Sequence, residues 1–286
     1  MNFESLIKSV ALQCMKPFRN NFIMLNLKEK AKKGVNLNYF IKEDNIGDVL
    51  SKVVVDWMLE RKNITDSSTK IQHLYAIGSV IDAGIQDATI WGSGILDTNR
   101  FSRLFKGRVL DIRAVRGPLT KSILIDRGYI KNNESVPYGD PAILMPLIYT
   151  PKIDNLKYKY AFIPHYTVVE KQKEIPNVHI ISTKTTNYKR FIDEICSSQF
   201  VISTSLHGII LAESYGVPAV LMLVNGNESI FKYYDYYAST GRISPPIVKT
   251  VEEGIAFLEN NYLSKIDFSE MRKNLIGSFP YDIYSN

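Results

Sequence analysis

Cysteine is nearly missing: the 286 residues hold two, Cys14 and Cys196. That excludes a disulfide framework or a cysteine zinc site and fits a reducing compartment, so a cytoplasmic location is expected. Long apolar runs are missing too. Residues 142–149 are interrupted by Pro146 and residues 218–224 are short; neither approaches the roughly 20 residues that span a bilayer. The opening Met1-Asn2-Phe3-Glu4-Ser5 has no basic region followed by an apolar one, so no secretory signal is expected. Histidine numbers four, and no His/Asp/Glu group has metal-ligand spacing, so no metal is expected. There is no Gly-x-Ser-x-Gly elbow and no P-loop. A dinucleotide fingerprint starting at Gly92 fails because Asp97 stands where its last glycine belongs.

What is present describes a folded protein. Hydrophobic residues make up 45% and charged residues 22%, which excludes disorder and low complexity for most of the chain. The length suits two modest domains or one large one. A net charge of +6 permits acidic small molecules, nucleic acid or an anionic membrane surface as partners. The densest basic run, Lys28-Glu29-Lys30-Ala31-Lys32-Lys33, reads first as a solvated helix face.

Apolar β-branched runs alternate with helical periodicity. Residues 35–40, 71–77, 88–91 and 109–115 read as strands, with helices over 49–59 and 118–126 between and after them. The second half repeats the alternation. Strands are expected over 160–163, 178–181, 200–203 and 219–224, with helices over 188–195, 206–215, 230–237, 251–259 and 268–276. This pattern predicts an α/β fold with two Rossmann-like parallel sheets covered by helices. A polar stretch at 150–157 suggests domains of 1–150 and 151–286, the C-terminal helices packing back on the first.

In open parallel sheets, ligands bind beyond the carboxyl ends of the strands. The strongest segment by that rule is Val201-Ile202-Ser203-Thr204-Ser205-Leu206-His207-Gly208. An apolar strand runs into hydroxyl residues and then a histidine in the first turn of a helix, where free N–H groups form an anion site. Ser203 and Ser205 can cap the helix or donate to the anion, with Gly208 beside them and His207 able to share a proton. Glu213 lies six positions further on, on another helix face, and is as well suited to structure as to a site. Pro118 at a helix start places Arg116 at the crevice mouth, a fork for carboxylate or phosphate. Arg113 faces the opposite side of a continuous strand. Asn45-Ile46-Gly47-Asp48 and Gly92-Ser93-Gly94 follow strands and allow close backbone approach. Asp140, before Pro141, reads as a helix cap. His165 follows another strand, and Lys232 lies in an aromatic run with Tyr233, Tyr234, Tyr236 and Tyr237.

In order along the chain, these pieces resemble the polysaccharide pyruvyl transferase family. They are Asn45-Ile46-Gly47-Asp48, Trp91-Gly92-Ser93-Gly94, Arg116-Gly117-Pro118, Gly139-Asp140-Pro141, Ser205-Leu206-His207-Gly208 with Gly216-Val217-Pro218, and Lys232 with Asp235-Tyr236-Tyr237. Ser205 stands where many members have Arg, and Ser93 where many have a third glycine. The resemblance implies a GT-B-like arrangement with the active site between two Rossmann-like halves. It implies transfer of pyruvate from phosphoenolpyruvate, a substrate and not a cofactor, to sugar hydroxyls, leaving a pyruvate ketal and phosphate. His207 corresponds to the motif histidine and Arg116 to the motif arginine. His207, Glu213 and Asp48 are then the catalytic candidates, with His165 another candidate base. Arg116, Arg113, Ser203, Ser205, Gly208, Lys232 and His165 are the donor-binding candidates. Asn45, Gly47, Gly92, Ser93 and Gly94 are the acceptor-binding candidates. The expected partners are phosphoenolpyruvate and a saccharide or lipid-linked oligosaccharide, with no nucleic acid; a lipid-linked acceptor would bring the chain to the inner membrane face. Two other readings compete: a GT-B glycosyltransferase using a nucleotide sugar, and a non-catalytic capsule-assembly protein.

Overall fold

The computed structural model describes residues 34–284, apart from 41–42, 66–69, 84–85, 97–106, 154 and 224–228. The basic run at 28–33 and Cys14 lie outside the described residues. Among the described residues two sheets organise the chain, and every strand pair in both is parallel. The first has order β1-β2-β3-β4, from β1 (Gly34–Leu37), β2 (Ile71–Tyr75), β3 (Ala88–Trp91) and β4 (Leu110–Ala114). The second has order β6-β5-β7-β8-β9, from β5 (Tyr158–Ile163), β6 (Val178–Ile180), β7 (Ser198–Ser203), β8 (Ala219–Met222) and β9 (Ile247–Val248). Two parallel-only sheets with connecting helices fit a two-domain, Rossmann-like arrangement.

The central strands show why the sequence folds this way. All four residues of β3 and all four of β8 are buried. A parallel strand covered on both faces reads as a continuous apolar run and not an alternating one. Among the described residues the α-helices are α1 (Ile46–Glu60), α2 (Pro118–Asp126), α3 (Met145–Ile148), α4 (Tyr188–Cys196), α5 (Leu206–Ser214), α6 (Phe231–Ser239), α7 (Val251–Asn260) and α8 (Ser269–Gly277). α2 starts at Pro118, whose missing N–H is among those a first turn leaves free.

Packing ties the two sheet regions together. One buried cluster holds Leu50 and Val54 of α1, Ile163 of β5, Ile209 of α5 and Leu275 of α8. The Trp91 indole N–H donates to the Leu275 carbonyl at 2.9 Å, and its ring meets Phe279 edge-on at 4.8 Å. The Tyr281 hydroxyl donates to the Met58 carbonyl. The end of the chain is thereby fastened to β3 and α1. At the opposite seam, the Ile46 N–H donates to the Thr183 carbonyl at 3.0 Å. The start of α1 is thus joined to the segment following β6.

Candidate active site

α5 begins where β7 ends, and side chains build that corner. The buried Ser203 hydroxyl donates to the Ile163 carbonyl at 3.0 Å and accepts the Ser205 N–H at 2.9 Å. Ser205 caps the helix, its Oγ 3.4 Å from the Gly208 nitrogen. A Cβ on Gly208 would lie 2.4 Å from Ser203 Oγ, so glycine is required there for packing. Ser203 therefore faces inward and holds the corner, instead of reaching a donor anion as the sequence suggests. What the corner presents outward is the first turn of α5 and His207.

The His207 ring lies against Gly47, the second residue of α1: a Cβ on Gly47 would sit 2.0 Å from Nδ1. On its other side, Nε2 is 3.6 Å from Oδ2 of Asp140. That is ion-pair range and just beyond a hydrogen bond. Both atoms are buried, and neither has a hydrogen-bond partner. The other Asp140 oxygen accepts the Ala142 N–H at 3.0 Å and caps the 3₁₀ turn Pro141–Leu144. The expected cap is present, on a 3₁₀ turn, and the contact with His207 is an addition no spacing rule suggests.

Asp48, the third residue of α1, is buried nearby and accepts the Phe40 N–H at 3.3 Å and an N–H of the Asn45 side chain. Burial pushes its carboxyl up from the usual aspartate value; the Asn45 bond, the charge of His207 and the Phe40 N–H oppose that shift. Asn45 occupies the N-cap position of α1, but its side chain goes to Asp48 and not to the helix backbone. Two helix N-termini, those of α1 and α5, thus converge on one imidazole flanked by two buried carboxyls. Their summed dipoles favour an anion at this point.

Gly47 gives a direct test of that convergence. Gly47→Ala gains up to about 1 kcal/mol of helix propensity, so the chain should stay folded. Its methyl would occupy the place of His207 Nδ1. Displacing a reacting group by about 1 Å can reduce rate by about 100-fold. Turnover is expected to fall by that order with the chain still folded, the propensity gain offsetting part of the roughly 1–3 kcal/mol that overpacking costs; unchanged turnover would separate the ring from the reaction.

His165 and Lys232 lie around the same corner. The His165 N–H donates to Thr204 Oγ1 at 2.7 Å, and its Nδ1 is 2.9 Å from Thr167 Oγ1. Lys232 is buried with its ammonium 4.8 Å from the Tyr233 ring centroid. The Tyr233 hydroxyl in turn donates to the Thr204 carbonyl at 2.7 Å.

Other candidates are placed differently from the expected open crevice. Arg116, expected at the crevice, is fully buried and its guanidinium is engaged: Nε to Asp235 at 3.0 Å, one terminal nitrogen to Ser79 Oγ, the other to the Ile95 carbonyl at 2.8 Å. Past the end of β4 the chain turns, so the side chain points inward over Gly94, where a Cβ would lie 2.3 Å from the guanidinium carbon. Gly92, Ser93 and Gly94, expected against the acceptor, are buried for packing reasons. Gly92 has φ +87° and lies against Pro141, while the Ser93 hydroxyl donates to the Gly78 carbonyl at 2.8 Å. Arg113 is drawn off by ion pairs to Asp111 at 2.8 Å and Asp282 at 2.6 Å. Glu213, a catalytic candidate, is held bidentately by Arg242 at 2.6 and 2.7 Å and accepts the Tyr236 hydroxyl at 2.6 Å. A carboxylate bonded in this way anchors the α6 region.

The polysaccharide pyruvyl transferase model matches residues 45–226, more than half of the chain. The chain belongs to the polysaccharide pyruvyl transferase family. The matched span starts at Asn45, beside Gly47 and Asp48, and includes Asp140 and His207. The uncharacterized protein L143 of Acanthamoeba polyphaga mimivirus is 28% identical over 230 residues, covering 74% of this chain and 77% of that protein. The succinoglycan biosynthesis protein ExoV of Rhizobium meliloti (strain 1021) is 28% identical over 145 residues. That match covers 46% of this chain and 41% of ExoV. Membership of this family makes the chain a transferase acting on polysaccharide. Among the described residues, no helix is long and apolar enough to cross a membrane, and no cluster of three His, Cys, Asp or Glu side chains is placed to hold a metal ion.

Proposed function

We propose that the protein transfers pyruvate from phosphoenolpyruvate to two hydroxyls of one sugar in a polysaccharide or its lipid-linked precursor, forming a cyclic ketal. The observation that carries this reading is the His207 imidazole set between the N-termini of α1 and α5. Phosphoenolpyruvate presents a phosphate and a carboxylate. Two helix N-termini, with Lys232 near the same corner, suit a ligand with two anionic groups. On this reading the site is a GT-B-like cleft, with the donor held by residues 151–286 and the acceptor by residues 1–150, near Asn45 and Gly47.

The proton balance asks for a carrier at this place. The first sugar hydroxyl adds to the enol carbon, its proton lost while the methylene carbon gains one. Phosphate then leaves, and the second hydroxyl closes the ketal as its proton passes to the departing phosphate or to water. Two protons leave oxygen: one is delivered to carbon, and the other goes to phosphate or to water. His207 can take and return those protons; Asp48, raised by burial, is the second candidate base. Positioning of the diol and charge stabilisation by the helix termini supply much of the remaining rate.

Thermal unfolding with ligand tests the donor. A ligand present at 100 times its dissociation constant stabilises the native state by about 2.7 kcal/mol. Phosphoenolpyruvate is expected to raise the melting temperature and nucleotide sugars to leave it unchanged. A rise with a nucleotide sugar alone would replace this reading with glycosyl transfer.

A further inference from the structure

We infer that Asp140 is a positioning residue that holds the Nε2 proton of His207, so that Nδ1 is the nitrogen exchanging protons with substrate. The second clause rests on the proposed function; the first does not. Asp140 is fully buried, and one of its oxygens is satisfied by the Ala142 N–H. The other, Oδ2, has no hydrogen-bond partner, and neither does the buried Nε2 that faces it across 3.6 Å. An unsatisfied buried polar atom is costly. Two such atoms, pointed at each other, are both relieved by closing the gap a few tenths of an ångström. Catalytic hydrogen bonds that are long without substrate commonly tighten with it.

The chemistry of the facing groups decides the proton's place. Oδ2 of an ionised carboxylate only accepts, so the nitrogen turned to it must carry hydrogen. Asp48, from α1, is a second ionisable group that interacts with the ring through charge. Each of its oxygens accepts one hydrogen bond, from the Phe40 N–H and from the Asn45 side chain, and it acts on the ring through charge, leaving the tautomer to Asp140. The remaining nitrogen, Nδ1, packs on the Gly47 backbone at the start of α1, where the missing side chain makes room for the ring, and the His207 side chain keeps 13% of its surface exposed. A ligand anchored at the two helix N-termini meets the imidazole on that side.

The test is nitrogen NMR of histidine-labelled protein without substrate, at a pH where the imidazole is neutral. The chain has four histidines, and His207→Gln assigns the signal. Wild-type His207 is expected as the Nε2–H tautomer. Asp140→Asn keeps an oxygen for the Ala142 N–H but turns an amide N–H toward Nε2, so the tautomer should invert to Nδ1–H. In the same variant kcat is expected to fall by about 100-fold or more, as for other triads whose tautomer is reversed, with KM for the donor little changed. An Nδ1–H tautomer in wild type, or one unaltered in Asp140→Asn, overturns the assignment. The wild-type spectrum decides even if the variant misfolds. Because the spectrum needs no substrate, failure of pyruvyl transfer as the activity would leave it standing.

Discussion

His207→Ala is expected to reduce turnover by about 10²–10⁴-fold, the range for loss of a general acid–base group, while the chain remains folded. The side chain is 13% exposed and makes no hydrogen bond that the fold depends on. Alanine is at home in the first turn of α5, and Ser205 continues to cap it. What disappears is the imidazole packed between the starts of α1 and α5. Measured kcat with a melting curve checks both halves of the statement. A variant with near wild-type turnover would remove His207 from the chemistry. A variant that unfolds would mark it as a packing residue.

Arg116→Ala should act on stability first. Removing one member of a buried ion pair typically costs about 3–5 kcal/mol, against a total stability of about 5–15 kcal/mol. Asp235 would keep the Thr120 N–H at 2.9 Å and the Thr120 hydroxyl at 2.7 Å, which limits the loss. The bonds to Ser79 and the Ile95 carbonyl would go as well. A fall in melting temperature of roughly 10 °C is expected for a chain of this size. Arg116→Lys should recover little of it, because an ammonium cannot reproduce a planar fork reaching three acceptors. The crevice role suggested by sequence requires the opposite result: an unchanged melting temperature and weakened phosphoenolpyruvate binding.

Sequence shows more of the elements than of the contacts between them. The buried strands β3 and β8 are legible because a doubly covered parallel strand is a continuous apolar run; the expected β3 boundaries, 88–91, match. The boundaries of α2 match too, since Pro118 marks its start. The two-residue strand β9 is too short to carry a pattern, and its existence depends on pairing with β8. His207 stands out because a strand end, a cap and a helix first turn are local features.

Side-chain direction beyond a strand end is a tertiary property. Arg116 turns inward because Asp235, from a helix far along the chain, waits there and Gly94 leaves room. Glu213 is claimed by Arg242, whose approach no helical periodicity reveals. Asp140 appears in sequence as a cap, which it is, but its second oxygen meets a histidine brought in by the other sheet. The signal for that contact was present only as the shared motif set, which names residues without saying which ones touch.

The most direct measurement is the reaction itself: phosphoenolpyruvate and a panel of saccharides bearing free vicinal or 4,6-hydroxyl pairs, followed by proton and phosphorus NMR. The account requires a new ketal methyl signal, one phosphate released per pyruvyl group transferred, and loss of both signals in His207→Ala. Consumption of a nucleotide sugar with phosphoenolpyruvate untouched, or ketal formation undiminished in His207→Ala, would contradict it.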